Sequence, residues 1–113
     1  MATLVKHPGS SQYLLGGHVV YSNDWKHKEI DVKKDLIASC GAVSEEVARS
    51  MAEGAMANAH SDMALAVTGI AGPEGGSPTK PVGTVHIALC YNKTTYHKKF
   101  SLHTDRAVNI ALT

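Results

Sequence analysis

The sequence predicts a layered α/β domain in which helices flank a mixed β-sheet. Three observations lead there. Met63 to Val67 (Met, Ala, Leu, Ala, Val) is an apolar run without polar alternation, the pattern of a strand buried on both faces of a sheet. Val82 to Tyr91 and Thr94 to Phe100 are two strand-like segments separated only by Asn92-Lys93, most simply a hairpin. Between Ser44 and Ala59, one helical face carries Val47, Ala48, Met51, Ala52, Ala55, Met56 and Ala59, and so many alanines on a stripe imply close approach to a sheet.

Each element follows from local chemistry. Ala2 to Lys6 reads as the last turn of a helix, stopped by His7-Pro8-Gly9. Gly16 to Tyr21 reads as a short strand entered through two glycines, and Ser22-Asn23-Asp24 then caps a helix over Trp25 to Ile30. Val32 to Cys40 forms a further short helix with Leu36 and Ile37 inward and Gly41 ending it. Ser44 is the N-cap of the longest helix, with Glu45 and Glu46 in the turn where the dipole favours anions. Thr68 marks the end of the strand Met63 to Val67. Asp105 to Thr113 is helical in pattern, apolar at Ala107, Val108, Ile110, Ala111 and Leu112, and opens at Thr104 or Asp105. The first helix has no start of its own and the last has no glycine or cationic closure, so the chain reads as incomplete at both ends.

With 113 residues and 43% apolar content, the sequence fits one domain with one core. Its net charge of +1, from 11 basic and 10 acidic residues spread along the chain, does not indicate nucleic acid. Cys40 and Cys90 lie far apart without metal-ligand spacing and read as reduced thiols in or near the core. The 7 histidines show neither H-x-x-x-H nor H-E-x-x-H pairing, so no metal is expected and they read as surface or strand residues. No apolar run is long enough to span a bilayer and no signal segment opens the chain, which makes a cytoplasmic location the expectation, with no membrane partner.

Two segments could carry chemistry. In Thr68-Gly69-Ile70-Ala71-Gly72-Pro73-Glu74-Gly75-Gly76-Ser77-Pro78, glycines can expose backbone N–H groups while prolines stiffen the excursion, so a polar or anionic group could lie against it. A long rigid connection between strands would look the same. In Tyr21-Ser22-Asn23-Asp24-Trp25-Lys26, a strand-end tyrosine and a lysine on the first helical turns can converge on one pocket, where a partly desolvated lysine suits general-base work on a serine hydroxyl. Spacing alone favours a strand-end phenol and a solvated helix lysine.

Taken in order, Gly9-Ser10-Ser11, Tyr21-Ser22-Asn23, Lys26, Gly41-Ala42-Val43-Ser44-Glu45, Thr68-Gly69-Ile70-Ala71-Gly72-Pro73, Lys80-Pro81-Val82-Gly83-Thr84-Val85 and Asp105-Arg106 resemble the C-terminal domain of the competence-damage-inducible (CinA-type) family across nearly the whole chain. Members of that family are nicotinamide-nucleotide amidases, which convert nicotinamide mononucleotide to nicotinic acid mononucleotide and ammonia. The resemblance implies that residues 1–113 are an amidase domain, incomplete at both termini, that needs no cofactor, takes a small-molecule nucleotide and self-associates. By motif it implies catalytic roles for Lys26, Tyr21 and Thr68, and substrate binding by Arg106, Gly69, Ala71 and Gly72. Lys26 would be the base, the Thr68 loop would supply oxyanion donors, and Arg106 would hold the ribose phosphate.

The sequence departs from the family pattern at one decisive point. The family's nucleophile is a serine in a Glu-Ser-Cys-Thr-Gly-Gly segment, and that segment occurs nowhere in the 113 residues. Ser10 and Ser11 match the loop after the nucleophile helix, and strand alternation would turn Ser22 away from the face of Tyr21. Smaller departures lie at Ile30-Asp31-Val32, where a glycine usually precedes the valine, and at Leu102-His103-Thr104-Asp105-Arg106, where a Pro-Gly-Asp-Arg turn is usual. The chain alone is therefore expected to be weak or inactive. Two other readings compete: a non-catalytic nucleotide-binding or assembly module, and a decayed product with no stable fold.

Overall fold

The structure, a computed structural model, describes residues 2–113 and orders them as α1 (Ala2–Val5), a 3-10 turn (Ser10–Gln12), α2 (Asn23–Ile30), α3 (Lys34–Cys40), α4 (Glu45–Ala59), β1 (Met63–Gly69), β2 (Thr84–Tyr91), β3 (Thr94–Ser101) and α5 (Arg106–Leu112). Side-chain caps set three helix starts. Ser22 Oγ accepts from the Trp25 N–H at 3.1 Å, Ser44 Oγ from Val47 at 3.2 Å, and Asp105 Oδ1 from Val108 at 3.0 Å. Gly41 closes α3 as expected, its N–H donating to the Ile37 carbonyl at 2.8 Å.

The α/β class stands, but the sheet differs from the mixed sheet expected. Among the described residues it holds three strands in the order β1-β2-β3, antiparallel throughout. Asn92 and Lys93, with φ of 52° and 64°, make the tight turn between β2 and β3, the geometry whose twist matches that of the flanking strands. Gly16 to Tyr21 is not a strand. Val19 and Tyr21 are 90% and 84% exposed, only Val20 turns inward, and none of these residues makes a backbone-to-backbone hydrogen bond. An extended segment becomes a strand only through a partner ladder, and the two glycines leave this one nothing to pack along a sheet edge.

The core lies between α4 and one face of the sheet. Val47, Ala48, Met51 and Ala52 of α4 meet Ala66, Ala88 and Cys90, while Ile30, Val32 and Ile37 of the α2–α3 unit close the side. The alanine stripe does bring helix and sheet together, and Gly54 does the same for α2. A Cβ at Gly54 would stand 1.9 Å from the Ile30 carbonyl oxygen, so only glycine admits the crossing. The expectation that β1 is buried on both faces fails: Met63, Leu65 and Val67 point away from α4 and are 38–53% exposed. Tyr91, Tyr96 and Phe100 share that open face by register. No helix of the described residues is long and apolar enough to cross a membrane.

Candidate functional site

Lys26 lies one turn into α2 with its side chain turned back under the segment before the helix. Its residue is 6% exposed, and Nζ donates to the Val20 carbonyl at 3.0 Å and the Tyr21 carbonyl at 3.3 Å. Burial lowers its pKa from the ordinary lysine value. The desolvated lysine expected on the first turns of this helix is therefore present. Tyr21 reaches it differently from expectation, since the phenol side faces solvent and the backbone carbonyl makes the contact. The cause is the missing strand: without a ladder, nothing turns the Tyr21 ring inward.

Thr68 is the penultimate residue of β1 and is buried on the α4 side of the sheet. Its hydroxyl donates to the Ala42 carbonyl at 2.8 Å, fixing the turn between α3 and α4 to the end of the strand. Gly69 completes β1, and the Ile70 N–H still pairs with the Thr84 carbonyl at 3.0 Å before the chain leaves the sheet. Beyond that point the backbone N–H groups of Ala71, Gly72, Glu74, Gly75 and Gly76 have no hydrogen-bond partner among the described residues. Residues 73–78 with Pro81 and Val82 curl around a concavity of about 630 Å³.

Arg106 and Asn109 hold this loop from outside. Arg106 Nη1 donates to the Gly72 carbonyl at 2.9 Å, and Asn109 Nδ2 donates to the Ala71 carbonyl at 2.9 Å and to the Thr104 carbonyl at 3.1 Å. Asn109 is 2% exposed, while Val108, Ile110 and Leu112 on the same helix are 40–61% exposed. The helical pattern of Asp105 to Thr113 is read from its apolar positions alone, whereas the residue α5 buries is the polar Asn109. Lys80 was missed as well. Its ammonium donates to the Cys40 carbonyl at the end of α3, where a Cβ on Gly41 (φ 81°) would stand 2.8 Å from Nζ.

Two groups result. Thr68, Gly69, Ala71, Gly72 and Arg106 are assembled around one loop, and Lys26 sits with Val20 and Tyr21 beneath the N-terminus of α2. No hydrogen bond among the described residues joins the two groups, and the concavity inside the loop is lined by neither Lys26 nor Arg106. No cluster of three or more His, Cys, Asp or Glu among the described residues could hold a metal ion.

Residues 1–113 match the family described as the CinA C-terminal domain. The chain belongs to the CinA family. It is 54% identical over 98 residues to a CinA-like protein of Citrifermentans bemidjiense, covering 87% of this chain and 24% of the relative. A putative competence-damage inducible protein of Clostridium perfringens is 47% identical over 105 residues, covering 93% of this chain and 26% of the relative. The fold is similar to the crystal structure of a competence-damaged protein (CinA) superfamily protein from Escherichia coli, with TM-score 0.93 and 32% identity over 98% of this chain and 64% of that one. The competence/damage inducible protein CihA from Agrobacterium tumefaciens gives TM-score 0.91 and 37% identity, over 98% of this chain and 69% of that one. This chain thus spans about a quarter of the length of these curated relatives.

Proposed function

We propose that this CinA-family chain forms the nucleotide-binding part of a nicotinamide-nucleotide amidase site. The observation that carries the reading is Lys26, an ammonium buried at the opening of a helix with its pKa lowered by desolvation, which is what a general base for serine activation needs. Two features support it. The loop after Thr68 presents backbone N–H groups that the protein leaves unpartnered, suited to an oxyanion or phosphate. Arg106 spends one of its guanidinium N–H groups on the Gly72 carbonyl and keeps others for an anion beside that loop.

In the proposed reaction a serine attacks the carboxamide carbon of nicotinamide mononucleotide while Lys26 accepts the hydroxyl proton. Loop N–H groups stabilise the tetrahedral oxyanion, and the proton held by Lys26 passes to the departing nitrogen, which leaves as ammonia. Water then hydrolyses the acyl-enzyme to nicotinic acid mononucleotide. The serine belongs to the Glu-Ser-Cys-Thr-Gly-Gly segment, which the 113 residues do not contain.

The test has two arms. Calorimetry is expected to show saturable binding of nicotinamide mononucleotide to the 113-residue chain, with no ammonia released. The same chain preceded by a Glu-Ser-Cys-Thr-Gly-Gly helix is expected to release ammonia, and Lys26→Met in that extended protein to lower turnover by about 100-fold or more. Binding without turnover in the extended protein would favour a non-catalytic nucleotide-binding module instead.

A further inference from the structure

A chain of polar side chains crosses from α4 to the middle strand of the sheet, and the reaction above makes no use of it. Glu45, the first residue of α4, has Oε1 3.4 Å from His97 Nδ1 on β3. His97 Nε2 lies 2.8 Å from His86 Nδ1 on β2, with the rings 25° from parallel and their centroids 5.1 Å apart. His86 is 7% exposed, His97 has a side chain 12% exposed, and Glu45 is half exposed, with Arg49 donating to its other oxygen at 2.8 Å.

The distances dictate where protons can be. Two imidazole nitrogens at 2.8 Å require one proton between them, neither none nor two. If neutral His97 carries its proton on Nδ1, toward the Glu45 carboxylate 3.4 Å away, its Nε2 is bare, and His86 must then carry its own proton on Nδ1. One additional proton fits: His97 becomes a cation facing the Glu45 carboxylate and donates to His86 Nδ1, and His86 moves its proton to Nε2. A second additional proton would set two N–H groups against each other and leave two adjacent cations facing one carboxylate. That pair cannot stay bonded.

We propose that Glu45, His97 and His86 form a proton-operated latch, closed with none or one added proton and opened by the second. Opening releases the first turn of α4 from the β2–β3 hairpin. The α3–α4 turn runs directly into that first turn of α4, so its ties to the sheet through Thr68 and to the loop through Lys80 come under load when the latch opens. His86 is the direct cross-strand partner of Thr68, so the latch closes beside that tie. The inference rests on the fold alone and is independent of the reaction proposed above.

Every neighbouring element bears on the second proton. Lys99 on β3 and Lys80 on the loop oppose it, Glu45 on α4 favours it, and Cys40, Glu46 and Arg49 complete the titratable and charged surroundings. Burial first, then His97, Lys99 and Lys80, hold His86 below the ordinary imidazole value. The sign follows. A histidine that charges less readily folded than unfolded contributes stability that is complete above the unfolded value of about 6.5 and is lost as pH falls from there toward the folded value.

Nitrogen-15 NMR of the histidine rings in the unmodified chain is the test, with thermal melts at each pH. At pH 8 both His86 and His97 are expected as the Nδ1–H tautomer, the form that free neutral imidazole disfavours. On acidification, protonation of His86 is expected to coincide with lost amide protection over residues 41–47. The melting temperature is expected to fall by about 5 °C between pH 7 and pH 5, and by less than half of that in His97→Gln, which keeps a hydrogen-bonding side chain without the charge. An Nε2–H tautomer at His97, or protonation of His86 that leaves the protection of residues 41–47 intact, would overturn the proposal. The ring spectra decide even if the variant does not fold.

Discussion

At the scale of single residues, two buried polar side chains, Lys26 and Asn109, hold backbone carbonyls of the candidate site. Lys26 donates to two carbonyls that have no other partner among the described residues, so Lys26→Met is expected to cost about 1–3 kcal/mol in unfolding free energy. The pH dependence has a definite direction. A lysine whose folded pKa is lowered binds its proton more weakly folded than unfolded, so its contribution to stability rises with pH from the folded value up to about 10.4. Denaturant titrations of the original chain and Lys26→Met from pH 7 to pH 10 are expected to show the gap between them widening. Asn109 is the second case. Truncation to alanine removes its bonds to the Ala71 and Thr104 carbonyls and is expected to cost a further 1–3 kcal/mol or so, with faster amide exchange across residues 70–83.

At the scale of elements, the sequence was legible wherever the deciding interaction is local. Ser22, Ser44 and Asp105 cap the helices they were expected to cap, Gly41 ends α3, and Asn92-Lys93 turns the hairpin, because each involves residues within a few positions of one another. Gly16 to Tyr21 went wrong for the opposite reason. A strand exists through a distant partner, and alternation of Val19, Val20 and Tyr21 says nothing about whether one is there. The same limit hid Asn109, whose partner lies 38 positions away, and the pairing of His86 with His97, which required the register of β2 against β3. Lys26 was singled out by its place on the first turns of α2 and Arg106 by resemblance, while their contacts with carbonyls 20, 21 and 72 were not foreseen. The crossing of α2 and α4 gives an element-scale prediction. Gly54→Ala gains up to about 1 kcal/mol of helix propensity but forces a Cβ into the Ile30 carbonyl, so net destabilisation of about 2 kcal/mol or more is expected by denaturant titration.

At the scale of the whole molecule, the three-stranded sheet is covered by helix on one face and open on the other. Met63, Leu65, Tyr91 and Tyr96 stand 48–56% exposed on the open face, where an ordinary layered domain has a second layer. The chain is accordingly expected to bind a hydrophobic dye such as ANS in its native state, with fluorescence reduced by Leu65→Lys on that face without loss of cooperative melting. Solved CinA-superfamily structures that match 98% of this chain are matched over 64–71% of their own length. In the proposed site Lys26, the loop after Thr68 and Arg106 serve one nucleotide, although no hydrogen bond among the described residues links the first to the other two. Residue-resolved NMR of the chain titrated with nicotinamide mononucleotide tests this most directly. Saturable shifts at Lys26, at Gly69 to Gly76 and at Arg106, all with one affinity, are the expected result. Shifts confined to one of the two groups, or different affinities for the two, would contradict it.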